Sequence, residues 1–139
     1  MGTHSMVARI TDIIESIERV RIIMGDVDLD TFETDWQKQW LVERGIEIIS
    51  EASRHLTSDL KGRHPEIPWK HVAGIGNVLR HNYENISAPV MWKLVTNDLT
   101  PLYEVCLEEF SSLQSREPAI EILARSGVGT PPRDDDVIE

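Results

Sequence analysis

Ile10, Ile13, Ile14, Ile17 and Val20 recur at the i, i+3, i+4, i+7 spacing of a helix that buries one face, with Arg9, Asp12, Glu15, Glu18 and Arg19 between them. The pattern predicts an amphipathic helix from about Met6 to Met24, ended by Gly25 and the Asp-rich stretch Asp26 to Asp30. Asp30 or Thr31 is the candidate cap of the next helix. That second helix reads as long, because Val42, Ile46, Ile49, Ser53, Leu56 and Leu60 make one stripe that Leu41, Ile48 and Ala52 widen. Trp36 and Trp40, an i, i+4 pair beside the stripe, are expected to bury against a neighbouring helix or a second subunit. Gly62 to Pro65 stops the helix, and Pro65-Glu-Ile-Pro-Trp69 forms a stiff connector. Pro68 lacks the amide that a first turn leaves unpaired, so it suits the start of a third helix running to about Ile86. After Ser87-Ala-Pro89 the apolar spacing resumes at Val90, Met91, Leu94 and Val95. It continues through Leu99, Leu102, Val105, Cys106 and Phe110, and Pro101 is expected to kink or split this element. Strand-like alternation is nowhere sustained. The expected fold is all-α, an antiparallel bundle of four to five helices.

Composition narrows the picture. A chain of 139 residues supports one hydrophobic core. A formal net charge of -10 argues against a general nucleic-acid coat protein, which needs a surplus of Lys and Arg, while leaving room for a local basic site. Cys106 is the single cysteine, so neither an intrachain disulfide nor a thiolate metal cluster can form. Nothing reads as a signal peptide or membrane span, and the expected compartment is the cytoplasm. Residues 1–5 read as an expression remnant, residues 6–114 as the helical domain, and residues 115–139 as a C-terminal extension with an acidic flexible tail around Asp134 to Asp136. His55, His64, His71 and His81 do not repeat a metal-ligand spacing, so no metal or cofactor is expected. His64 and His71 are expected on the surface or in a loop.

The chemistry concentrates in Gly74-Ile-Gly-Asn-Val-Leu-Arg-His-Asn-Tyr83. On a helix, Asn77 and His81 share a face, and Arg80, Tyr83 and Glu84 form an adjoining ridge. The grouping suits RNA cleavage. His81 can move the proton of a 2′-hydroxyl or of the leaving oxygen. Arg80 can hold the scissile phosphate and offset its growing charge, and Asn77 can orient phosphate or base. The same residues also read as an ordinary polar helix face. One histidine is half of an acid–base pair, and a homodimer would supply the other half. Glycine inside a helix costs about 1 kcal/mol relative to alanine, so Gly74 and Gly76 suggest the close approach of another helix, as at such a dimer contact.

A set of features in order carries a resemblance. These are the Ile-Thr-Asp-Ile-Ile-Glu-Ser-Ile first helix, Asp30-Thr-Phe32, Ser50-Glu-Ala52, Pro65-Glu-Ile-Pro-Trp69, Gly74-Ile-Gly-Asn77, Arg80-His81, Tyr83, Trp92 and Asp98-Leu-Thr-Pro-Leu102. From about Val7 to Leu113 the chain resembles the HepT-like family of the HEPN superfamily of helical ribonucleases. The resemblance implies a HEPN-like bundle that dimerises around a cleft, with metal-independent endoribonuclease activity as the toxin component of a toxin–antitoxin pair. It further implies a partner, a minimal nucleotidyltransferase antitoxin, which inhibits by adenylylating a tyrosine two residues after the histidine. Carried over, the polar motif residue is Asn77, the histidine is His81 and the modified tyrosine is Tyr83. The motif arginine is absent: its position holds Gly76, and Arg80 stands about one helical turn later. The leading expectation is a ribonuclease that uses Arg80, His81 and Asn77. The alternative is a catalytically inactive HEPN module that binds the nucleotidyltransferase.

Overall fold

The computed structural model describes residues 3–81 and 88–128, with side chains over 6–79 and 88–115. Helix α1 (Thr3–Met24) follows the predicted stripe, with Ile10, Ile13 and Ile17 fully buried and Val20 and Met24 nearly so. It stops at Gly25, whose φ of +59° is the left-handed conformation that a Cβ disfavours, and whose amide donates to the Arg21 carbonyl at 2.9 Å.

The single long second helix is instead three: α2 (Leu29–Glu33), α3 (Trp36–Arg54) and α4 (Ser58–Arg63). Local capping makes the breaks. Asp28, rather than Asp30 or Thr31, starts α2 by accepting from the Thr31 amide at 2.8 Å. Asp35 accepts from the Lys38 amide at 3.0 Å to start α3, and Thr57 accepts from the Leu60 amide at 3.2 Å to start α4. Each side-chain oxygen takes an amide that a continuing helix would have paired with a carbonyl four residues back. The apolar stripe survives these breaks, since Val42, Ile46, Ile49, Leu56 and Leu60 are all buried.

Helix α5 (Trp69–His81) begins one residue after Pro68, whose carbonyl accepts from Val72. The expected continuation to Ile86 lies outside the described residues. Helix α6 (Ala88–Lys93) leads into a π-helical turn, Leu94–Asp98, and then α7 (Leu99–Val128). Pro101 falls in the first turn of α7 and has no amide to offer the Asn97 carbonyl. The wider π turn directly before it is where the last element divides.

The long helices pack antiparallel. Lys38 Nζ donates to the Ile23 carbonyl at 2.6 Å, and Gly45 lets Val20 and the Ser16 carbonyl close on α3, which sets α1 against α3. Tyr103 donates its hydroxyl to Glu18 at 2.7 Å, and Arg21 lies 4.7 Å over the Tyr103 ring, which sets α7 against the other side of α1. Helix α5 packs on a further flank of α3. The result is an all-α, HEPN-like bundle, and among the described residues no helix is long and apolar enough to cross a membrane.

Two expectations about burial are corrected. Trp36 and Trp40 are 57% and 68% exposed and meet edge-to-face at 5.0 Å, so no helix of this chain among the described residues buries them. They occupy the first two turns of α3. His64, expected on the surface or in a loop, does follow the end of α4 outside any helix, but it is buried there against Glu109. Cys106 is buried as well, and desolvation pushes its thiol up to about 12. Native protein at pH 8 is therefore expected to resist a thiol reagent such as DTNB, and denaturant should release one reactive thiol per chain.

Candidate functional site

Trp36, Trp40, Glu43, Glu47, Ser50 and Arg54 follow one another at steps of four, three, four, three and four along α3, so they line one flank of that helix. Ala73, Gly76 and Arg80 are spaced the same way along α5. The two flanks are fastened at their middle. Ser50, 1% exposed, donates its hydroxyl to the Ala73 carbonyl at 2.8 Å and accepts from the Gly76 amide at 3.2 Å. Arg54 donates twice to the same Ala73 carbonyl, from Nε at 3.1 Å and Nη2 at 2.9 Å. These bonds set the register of the antiparallel pair.

Gly76 is the tightest point of this contact. A Cβ there would stand 3.0 Å from both Cβ and Oγ of Ser50 and 3.6 Å from the Glu47 Cα. The close approach expected of this glycine is therefore made to α3 of the same chain rather than to a second subunit. Gly74, by contrast, has nothing within 4 Å of its Cβ direction. The position expected to hold the motif arginine thus faces a packed helix. Gly76→Arg is expected to destabilise the fold by about 1–3 kcal/mol through overpacking, read by urea denaturation, and not to raise any cleavage activity.

Asn77 is exposed on the outer side of α5, and the backbone of His81 comes one turn later on the same face. Arg80 comes one turn after Gly76 on the flank that turns toward α3. The helix thus brings Asn77, Arg80 and His81 within its last two turns. Tyr83 and Glu84 lie outside the described residues.

The acidic part of the flank was not singled out from the sequence. Glu43 is half-buried, and that burial, followed by the charge of Glu47, raises its carboxyl above the ordinary range. Glu47 is paired with Arg44 at 3.6 Å. The four-three spacing of polar and aromatic residues beside the apolar stripe of α3 was the available signal.

A second group of charges lies elsewhere, where α4 ends against α7. Glu109 Oε2 meets His64 Nε2 at 2.6 Å, and Arg63 donates to Glu109 from Nε at 3.1 Å and Nη2 at 2.8 Å. The Arg63 hydrogen bonds first, and the His64 bond after them, hold the Glu109 carboxyl below its ordinary range against its burial. This is a clamp between elements, with each partner satisfied inside the chain. Among the described residues no three or more His, Cys, Asp or Glu side chains gather as a metal site would require.

Comparison with known proteins bears on this site. The family model of HepT-like ribonucleases matches residues 13–109. A Methanocaldococcus jannaschii protein whose name assigns it provisionally to the RNases is 34% identical over 99 residues, 71% of this chain and 91% of that protein. A Thermococcus cleftensis protein named a probable ribonuclease HepT is 37% identical over 91 residues, 66% of this chain and 83% of that one. No solved structure matches at comparable significance.

Proposed function

Because this chain belongs to the HepT-like ribonuclease family, we propose that it is a metal-independent endoribonuclease in which Arg80 and His81 carry the chemistry and Asn77 assists. The observation that favours this assignment is the burial of Gly76 against Ser50. Since the motif position is occupied by a helix contact, a guanidinium has to come from elsewhere on α5. Arg80 follows four residues later on the same flank, roughly 5.4 Å along the axis and beside His81.

The roles follow from the side chains. A permanently charged planar guanidinium pairs with two phosphate oxygens and stabilises the charge that builds on phosphorus in the transition state. An imidazole with an ordinary pKa near 6.5 moves a proton at neutral pH without assistance from a metal. Asn77 is exposed one helical turn before His81, and its amide carries both donor and acceptor atoms that can orient a phosphate or a base. The substrate is RNA, since the reaction uses the 2′-hydroxyl as its nucleophile.

The wider setting of this reading is the toxin component of a toxin–antitoxin pair, a homodimer restrained by a minimal nucleotidyltransferase. Tyr83 would accept AMP two residues beyond His81, and the attached phosphate would pair with Arg80 and repel RNA. Co-expression with the cognate transferase is then expected to raise the intact mass by one AMP, and Tyr83→Phe to abolish the increase. The alternative, an inactive module that only docks the transferase, rests on Gly76. RNA cleavage by the unmodified protein in EDTA separates the two. Cleavage lost in His81→Ala supports the enzyme, whereas no cleavage, or equal cleavage by both proteins, supports the module.

A further inference from the structure

Metal-independent RNA cleavage needs a group that takes a proton and a group that gives one, and of the three α5 residues proposed for the site, Asn77, Arg80 and His81, only His81 is suited to proton transfer. The flank of α3 offers another. Ser50 is bonded to Ala73 and Gly76, and Glu47 Cα lies 3.6 Å from the Cβ direction of Gly76. In an antiparallel pair, one turn back along α3 meets one turn forward along α5. Glu43 is that next turn on α3, and Arg80 with His81 is that next turn on α5. We propose that Glu43 is the second proton-handling residue of this site, the general base that works with His81 in the same subunit. The inference rests on the ribonuclease reading above and adds a residue to it.

The surroundings of Glu43 suit the role. It is half-buried, and among the described side chains, which stop at Leu79 on α5, no cation pairs with it, whereas its neighbour Glu47 is held by Arg44 at 3.6 Å. A partly desolvated carboxylate beside a second carboxylate is costly to keep ionised, which is a reason to look for a use. Burial and then the Glu47 charge raise its carboxyl, and a more basic carboxylate is a better proton acceptor. On its own helix the neighbouring charged groups are Glu47 and Arg44, and by backbone register the α5 turn that carries Arg80 and His81 comes opposite it. Lys93 of α6 is directed to Asp98 at 3.4 Å, and on α2 the acidic residues are Asp30 and Glu33.

The step balances without a co-reactant. The Glu43 carboxylate takes the 2′-hydroxyl proton as O2′ bonds to phosphorus. The P–O5′ bond breaks, and the departing oxygen receives the proton of the His81 imidazolium. A 2′,3′-cyclic phosphate and a 5′-hydroxyl result, and solvent restores both protonation states. Activity then requires Glu43 ionised and His81 protonated, giving a bell-shaped profile whose acid limb belongs to Glu43.

The test is cleavage of a single-stranded RNA oligonucleotide in EDTA by the unmodified chain and by Glu43→Gln, Glu43→Asp and His81→Ala, across pH 4 to 8 (roughly the span of the two groups). Glu43→Gln is expected to lower kcat by about 10²–10⁴-fold with little change in KM, and to lose the acid limb. Glu43→Asp should keep part of the rate and the limb. The thermal midpoint of Glu43→Gln should not fall, since the substitution removes a charge that partial burial and the neighbouring Glu47 both disfavour. If Glu43→Gln keeps the wild-type rate and acid limb while His81→Ala is dead, the inference is wrong and the ribonuclease reading stands. If Glu43→Gln loses rate together with thermal stability while the acid limb persists, Glu43 is structural and the inference is equally wrong. Absence of His81-dependent cleavage in the wild type overturns both.

Discussion

Glu109→Ala is expected to cost about 3 kcal/mol of unfolding free energy at pH 7, measured by urea denaturation. Removing one partner of a buried charge pair leaves the other without compensation, and the penalty depends on where that other can go. The Arg63 side chain is 57% exposed and can turn to water, which holds the loss to the lower end of the range. The His64 side chain is only 9% exposed and loses its 2.6 Å partner in place. Glu109→Gln keeps the shape and should lose less.

The pH dependence follows from the same clamp. Folding holds the Glu109 carboxyl below its ordinary 4.5, so the stabilisation is fully present above that value. It is lost as pH falls below 4.5 through the folded-state pKa. Wild-type stability should therefore drop across this acid window, and Glu109→Gln should show a shallower drop there. A wild-type protein no less stable at pH 3 than at pH 7 would contradict the clamp.

The second large effect concerns the guanidinium. Arg80→Ala is expected to reduce cleavage by about 10²–10³-fold, the loss typical of one stabilising donor at a developing charge. Arg80→Lys should recover only part of it, because an ammonium supplies the charge without the planar fork. Supplying the arginine at the motif position should not help. A Cβ at Gly76 would stand 3.0 Å from both Cβ and Oγ of Ser50, a contact that a side chain makes only if Ser50 gives way, so the double variant Gly76→Arg/Arg80→Ala is expected to be both inactive and less stable. Restored activity in that double variant would mean that α3 and α5 can separate enough to admit the motif arginine.

The α1 helix was legible because one stripe and one glycine at its end act in the same direction, and Gly25 takes the backbone conformation that such a stop requires. The second helix was misjudged for a specific reason. Apolar periodicity continues from Val42 to Leu60, yet Asp35 and Thr57 each divert an amide, and a side-chain cap acts over three residues where the stripe is read over many. Trp36 and Trp40, an i, i+4 pair beside the stripe, are expected to bury against a neighbouring helix or a second subunit. They are instead 57% and 68% exposed, and the spacing that places them beside the stripe does not say whether a helix of this chain covers them. The burial of His64 depends on Glu109, 45 residues away, and no local pattern encodes such a pair. Within the site, the Asn77 and His81 face was readable from helical spacing. The direction of Gly76 was not, because a glycine has no side chain whose chemistry hints at its surroundings.

The measurement that tests the central claim most directly is the chemistry of the RNA ends left by the unmodified protein in EDTA. The account predicts 2′,3′-cyclic phosphate and 5′-hydroxyl termini, none of them formed by His81→Ala. Fragments ending in 5′-phosphate and 3′-hydroxyl, or an intact substrate, would contradict it.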